Sequence, residues 1–415
     1  MRRILPLLTL LLVVLARPAS AAPGSLDHTF SRNGFQTAFA SGGSARAVAV
    51  DAQGRILLAG STIGAGADIA VARLLPGGAL DGSFNGDGRF RLDLGVDEEV
   101  FDVTVAAGNV IVVGERHGPT GTKWFVVRLR PNGTLDPTFG GDGRVITDFG
   151  RRFEHARAVR IQPDGRILVG GSVSNGTSES WAFARYLDDG ALDGSFGGDG
   201  LVTMSLSVSN EEVQTLVVRS TDILAGGYAE RNYLPRFAIA KLRFDGSRVL
   251  SFARRGVRLV NLAPGADSAY GLAVQDDGKP VLVGYASDGG RADWGLVRLR
   301  TSGALDGSFS GDGIVMTRFT PAYELAAAVS MQSNGRIVVA GRVHRRGGTD
   351  DLGVVRYLPD GRLDFSFSGN GRALFDPYGG NDAAHDVLVH AGKILLVGEA
   401  SRGLVQRMIV YRLFT

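Results

Sequence analysis

The chain has 415 residues, 44% of them hydrophobic, and no cysteine. That apolar share supports a large core and excludes a disordered chain, while the missing cysteines exclude a disulfide scaffold, a zinc–thiolate centre, a thiol nucleophile and a lipid-bearing cysteine anchor. The formal charge of +3 rests on 45 basic and 42 acidic residues, and its excess is concentrated at one end.

Residues 1–21 read as a secretory leader. Arg2 and Arg3 precede an apolar run over residues 4–16, and Ala19-Ser20-Ala21 is a small-residue cleavage site. The run is shorter than the about 20 residues a bilayer span needs, and no later stretch is longer or more apolar. The expected mature chain is therefore exported, to the periplasm or beyond the cell. Losing the leader removes Arg2, Arg3 and Arg17, and taking three from 45 leaves 42 basic against 42 acidic residues. A chain so balanced gives no reason to expect nucleic acid or an anionic membrane as partner.

From residue 22 onward one unit recurs seven times. Its most visible part is a head, Leu-Asp-x-Ser/Thr-Phe, as in Leu80-Asp81-Gly82-Ser83-Phe84. The phenylalanines stand at 30, 84, 139, 196, 252, 309 and 367, and each is followed four residues later by glycine. Within a unit four short apolar runs recur. Typical first, second and third runs are Ala47 to Val50, Arg166 to Gly170 and Phe183 to Leu187. The fourth follows the head, as in Arg144 to Phe149. Short β-branched runs punctuated by Asp-Gly or Asn-Gly are strands joined by hairpins.

Four antiparallel strands per unit, seven times over, predict an all-β, seven-bladed β-propeller. The chain opens on a fourth-strand copy, Phe35 to Phe39, and ends on a third-strand copy, Met408 to Leu413. The N-terminal strand is thus expected to complete the last blade. Residues 22–415 read as one propeller, and as a monomer.

The heads, the hairpin Gln162-Pro-Asp-Gly-Arg-Ile-Leu-Val-Gly-Gly171 and the strand Val71-Ala-Arg-Leu74 resemble the delta-60 repeats of secreted bacterial proteins. The resemblance covers about 24–415 and implies an exported propeller without a common chemistry. The fifth head departs from it, with Arg248 and Val249 in place of Leu-Asp and Arg254-Arg255 in place of Gly-Asp.

Aligned columns separate structural from functional readings. Trp124, Trp181 and Trp294 share a column with Ile69, Phe237, Leu352 and Met408, which marks a packing position. A basic column (Arg73, Arg128, Arg185, Lys241, Arg298, Arg356, Arg412) faces an acidic one in the heads (Asp27, Asp81, Asp136, Asp193, Asp306, Asp364). Arginine grips a carboxylate bidentately and lysine does not. The unit with Val249 in place of Asp is the one with Lys241, so the columns are expected to pair in six blades. The heads also match the opening of a calcium loop, but the acid expected at its twelfth position is replaced by Leu92, Thr317 or Phe375.

At the start of the first strands the units carry Gly43, Glu98, Glu154, Glu211, Asp267, Glu324 and Asp382. If innermost strands line a channel, these acids form a ring at one mouth, beside Glu99, His155, Glu212 and Ser268. At about 10 Å apart and an effective dielectric of about 20, neighbouring carboxylates repel by roughly 1.7 kcal/mol, so the ring needs no bound ion to exist. The candidate ligand-binding set is Glu98, Glu154, His155, Glu211, Asp267, Glu324 and Asp382, with the variable loops of that face around it. No cofactor is expected, and a divalent cation is the one candidate.

No nucleophile motif or histidine metal spacing stands out, and the glycine-rich turns precede no helix that would bind phosphate. Two readings remain. One is a non-catalytic propeller binding a protein or glycan on its loop face. The other is a metal-assisted hydrolase, lactonase-like or esterase-like, with a cation in the acidic ring.

Overall fold

Alternating apolar residues and β-branched runs give each repeat four antiparallel strands, and the two middle strands are covered on both faces. Ile69–Leu74, for example, is buried along its whole length, as a strand sandwiched between neighbouring blades must be. The computed structural model describes residues 22–39, 42–63, 66–345 and 348–415. The leader expected at 1–21 lies outside the described residues. Seven four-stranded sheets follow one another around a ring, and no described helix is long and apolar enough to cross a membrane.

The blades are numbered in chain order by their inner strands: Ser44–Val50, Asp97–Ala106, Phe153–Ile161, Glu211–Val218, Asp267–Val274, Leu325–Met331 and Asp382–His390. Six blades run from inner to outer strand in sequence order. In the seventh the order is Asp382–His390, Lys393–Arg402, Val405–Phe414 and then Phe35–Phe39, with Phe35 opposite Tyr411 and Gln36 opposite Val410. The N-terminal strand therefore closes the ring, as its sequence predicts.

The recurring heads hold this ring together on the face opposite the variable loops. The arginine and aspartate columns pair in all six expected blades, at 2.8 Å for Arg73–Asp81, Arg128–Asp136, Arg185–Asp193 and Arg356–Asp364 and at 2.9 Å for Arg298–Asp306 and Arg412–Asp27. Each guanidinium also lies over the head phenylalanine, from 4.6 Å for Arg73 on Phe84 to 4.9 Å for Arg185 on Phe196. Its free nitrogens reach the head hydroxyl, as from Arg128 to Thr138 at 2.9 Å, and a carbonyl of the next blade, as from Arg298 to Pro359 at 2.5 Å. One residue thus ties two blades. Asp27 and Arg412 make the same clamp across the two chain ends.

The head aspartates have no oxygen to spare for calcium. Asp81 accepts from the Ser83 backbone and hydroxyl through one oxygen and from Arg73 through the other. Lys241 is not the partnerless exception expected from Val249: it pairs with Asp222 at 3.0 Å, an acid outside the head column. The tryptophan column packs as expected. Trp124, Trp181 and Trp294 are fully buried, and the Trp181 and Trp294 indoles donate to the backbone of the following blade, at Tyr228 and Arg342.

A regular defect in the inner strands positions the site. Each inner strand carries one extra residue against its neighbour: Arg46, Phe101, Arg157, Gln214, Tyr270, Ala327 and His385. Such a bulge bends the strand and redirects the side chain. It also drives the inner backbone onto the second strand. A Cβ at Gly60, Gly114, Gly171, Gly227, Gly284, Gly341 or Gly398 would meet a carbonyl oxygen of the inner strand at 1.8 to 2.0 Å. Glycine is obligatory there because of close approach, not because of a left-handed backbone.

Candidate binding site at the channel mouth

The bulged residues of all seven blades face the axis of the ring. Phe101, Arg157, Gln214, Tyr270, Ala327, His385 and Arg46 line a cavity of 520 Å³ on the loop face. Directly above them stands a second tier. On the inner strands it is Glu99, His155, Glu212 and Ser268. On the second strands it is the residues that follow the obligatory glycines, which include Glu115, Tyr228, Tyr285, Arg342 and Glu399. No two blades contribute the same combination.

The basic groups here are held by acids, while burial keeps the His385 imidazole below its usual range. Arg46 meets Glu99 at 3.1 Å and Arg157 meets Glu212 at 2.7 Å. His155 meets Glu115 at 2.5 Å and His385 meets Glu399 at 3.1 Å. Burial opposes charge on Glu115 and His155, but their mutual hydrogen bond prevails, holding the carboxyl below its usual range and the imidazole above. Burial likewise pushes Glu399 up, yet the hydrogen bond to His385 and the Arg46 charge win and bring it to about 2. Tyr270 stacks on Tyr285 with ring centroids 6.2 Å apart, and burial raises its phenol to about 12. The mouth is thus a polar cup of paired basic and acidic groups with tyrosine faces on one side.

The expected acidic ring is in a different place from the cup. Glu98, Glu154, Glu211 and Asp267 are fully buried, with Glu324 and Asp382 nearly so. Adjacent strand residues point to opposite faces, so the neighbours Glu99, His155 and Glu212 take the channel side while the ring acids turn under the loops that lead into each blade. There five of the six cap backbone N–H groups. Glu154 accepts from Phe149 and Arg151, Glu211 from Leu206, Asp267 from Leu262, Glu324 from Phe319 and Asp382 from Ser401. Burial raises all six, to about 7 for Glu98, Glu211 and Asp382. Glu154 and Asp267 are also met by basic groups, Lys123 at 2.9 Å and Arg236 at 3.5 Å. Of the seven expected site residues, His155 alone faces the channel.

Among the described residues two groupings offer ligand atoms within 4.8 Å of one another, Glu99 with Glu115 and His117 at the rim, and Asp68 with Asp93 and Glu98 beneath it. The first is already used, since Glu115 takes His155 at 2.5 Å and His117 at 3.4 Å.

What sequence reading missed is the bulge column and the second-strand tier. Bulges change the alternation by one residue, so a strict period of 2 places the wrong neighbour in the channel. The signal was present in the glycine column of the second strands.

The chain is a β-propeller repeat protein. Its segments 53–84, 108–139, 162–196, 275–309 and 332–367 match the model described as a domain of unknown function (DUF5122) β-propeller. No curated protein matches the chain. Among solved structures it is similar to a histidine-to-alanine, catalytically inactive virginiamycin B lyase from Staphylococcus aureus with quinupristin, at 12% identity and a TM-score of 0.51 over 91% of this chain and 98% of that one. It is similar also to a polysaccharide lyase, an ulvan lyase bound to -[GlcA(1-4)Rha3S]-, at 11% identity and a TM-score of 0.52 over 92% and 96%. At these identities the likeness is one of fold.

Proposed function

We propose that the protein is an exported, monomeric propeller of the delta-60 repeat kind that binds a glycan at the channel mouth. The observation that carries this reading is the convergence of seven bulged side chains, nearly all different, on a 520 Å³ cup. Function on a shared fold resides in such grafted sites. Paired donors and acceptors such as Arg157 with Glu212 and Arg46 with Glu99 suit neighbouring hydroxyls, which donate and accept at once. Tyr270, Tyr228 and Phe101 supply apolar faces for the C–H side of a sugar ring. Calorimetric titration with glucuronate-containing and neutral oligosaccharides tests this. Binding should weaken at least tenfold in Tyr270→Ala. Absence of heat with every oligosaccharide, or heat unaltered by the substitution, overturns the reading.

A second reading, a lyase acting on the same ligand, is favoured by the two carboxylate-held histidines in the cup. His385 with Glu399, or His155 with Glu115, would move a proton at the mouth. It needs no metal in the acidic ring, whose carboxylates are buried. The two solved propellers above are both named as lyases. Ultraviolet absorbance of an unsaturated uronate product, lost in His385→Ala, is the expected sign of it.

A further inference from the structure

Blade 4 breaks the pattern of the heads, and the break is electrostatic. Arg248 stands where the other heads have leucine, and Val249 where they have aspartate. Arg254 stands where five have glycine, and Arg255 where the others have Asp87, Asp142, Asp199, Asp312, Asn370 or Asn33. On the outer strand Val257–Val260 that follows, Arg258 occupies the register of Val145, Val202 and Val315.

The fold does not call for these arginines. In the other six heads the Asp or Asn side chain caps the first N–H of the outer strand, as Asp142 does for Arg144 at 3.0 Å and Asp312 for Ile314 at 2.9 Å. In blade 4 the backbone carbonyl of Arg254 takes over that N–H at 3.3 Å, and Arg255 is held at a φ of 55°, a left-handed conformation that side chains rarely adopt. The five segments that match the family model also pass over this copy.

Arg248, Arg254, Arg255, Arg258 and the hairpin-tip Arg231 line one groove of 660 Å³ on the outer wall. None of the five has a carboxylate within 4.0 Å among the described residues, whereas the six third-strand clamp arginines are each paired. The Nε of Arg258 is buried without a hydrogen-bond partner. Glu230, the one acid of the groove, is turned to Ser209 and Asn210. Unpaired guanidinium groups crowded together repel one another unless something anionic lies between them.

We infer that this groove is a second binding site, distinct from the channel mouth, for an anionic polysaccharide bearing sulfate or carboxylate groups. The guanidinium fork matches such oxyanions bidentately. The groove is concave, which suits a chain and not a flat bilayer. Its remaining lining includes Ser205, Ser207 and Asn232 for hydroxyls and no aromatic ring, where single-stranded nucleic acid needs a stacking platform. A chain with balanced overall charge thus carries a local basic site.

The test uses the whole protein with dextran sulfate, polygalacturonate, neutral dextran, a single-stranded oligonucleotide and phosphatidylglycerol vesicles as probes. Dextran sulfate or polygalacturonate should bind with an affinity that falls steeply with salt. The triple variant Arg248→Leu, Arg254→Gly, Arg255→Asp returns its three arginines to the common residues and leaves Val249 in place, and it should bind at least tenfold more weakly with an undiminished melting temperature. Arg231→Ser, on an exposed hairpin tip, should lower affinity severalfold by itself and keeps the test valid if the triple variant misfolds. Tyr270→Ala at the channel mouth should leave this affinity unchanged. No binding of either polyanion, equal binding by the triple variant, or tighter binding of the oligonucleotide or vesicles would overturn the proposal.

Discussion

The two faces of the ring are built by opposite rules. On the head face six blades repeat one clamp, a buried arginine between an aspartate, a phenylalanine and the next blade's backbone. On the loop face the seven bulged positions hold Arg46, Phe101, Arg157, Gln214, Tyr270, Ala327 and His385, nearly all different. Uniformity marks the side chains that the architecture requires at every blade. Diversity marks the positions that architecture leaves open, and those are the ones that converge on a cavity.

The largest effect is expected from breaking the seam. Deleting residues 22–39 removes both the closing strand and Asp27, leaving blade 7 with an open edge at Val405–Phe414. Size-exclusion chromatography should show association through that edge, with loss of a single cooperative melt. A monomer with an unchanged melt would contradict this closure.

Next come single clamps. Arg128→Ala leaves Asp136 with only the half-exposed Arg130 at 3.4 Å and a carbonyl of the next blade without its donor, and removing one member of a buried ion pair costs about 3–5 kcal/mol. Gln214→Ala on the loop face should stay within about 0.5 kcal/mol. Denaturant unfolding of the two variants measures the contrast directly, and equal losses would erase the distinction between the faces. Lys241→Arg should cost less than Arg128→Lys, since Asp222 already serves Lys241 at 3.0 Å and can serve a guanidinium there too.

A smaller effect is expected from pH. Glu98, Glu211 and Asp382 are raised to about 7 by burial, so between their unfolded values and pH 7 the folded chain binds more protons than the unfolded one. Stability must therefore fall as pH rises through that window. The head clamps act the other way and lower down. Burial opposes ionisation of Asp27, but Thr29, Lys393 and Arg412 bring it to about 2, so its contribution is present above the unfolded value and lost only as pH falls toward 2. Melting temperature should thus be higher near pH 5 than near pH 8, and Glu211→Gln should flatten the slope. A melting temperature that rises over this range would show the ring acids to be ionised.

How legible each face was follows from the same contrast. The head face could be read almost residue by residue, because seven aligned copies show which groups travel together, and Arg–Asp pairing needs only that the third strand end where the head begins. The loop face could not, because a bulge adds one residue without changing the apolar pattern that flanks it. Glu154 and His155 are neighbours in the chain, yet one caps Phe149 and Arg151 under a loop and the other meets Glu115 in the channel. Only the cross-strand clash at Gly171 decides which is which. Asp222 was unreadable as the partner of Lys241 for a related reason. It lies in a hairpin turn, where no column predicts an acid.

The smallest effect is expected where one blade departs from its own face. Restoring Arg254→Gly and Arg255→Asp in blade 4 removes the strained φ at Arg255 and returns the side-chain cap, which should stabilise the protein by about 0.5–1 kcal/mol. A loss of stability would mean that these arginines are part of the fold after all.

The central claim is that the uniform columns hold the propeller and the varied columns bind. Saturation-transfer NMR of an oligosaccharide mixture tests it most directly, with the wild type beside a loop-face variant, Gln214→Ala with Tyr270→Ala, and a head-face variant, Thr138→Ala. The account predicts transfer to at least one sugar in the wild type and in Thr138→Ala, and none in the loop-face double variant. Transfer that survives the double variant, or that disappears with Thr138→Ala, would contradict it.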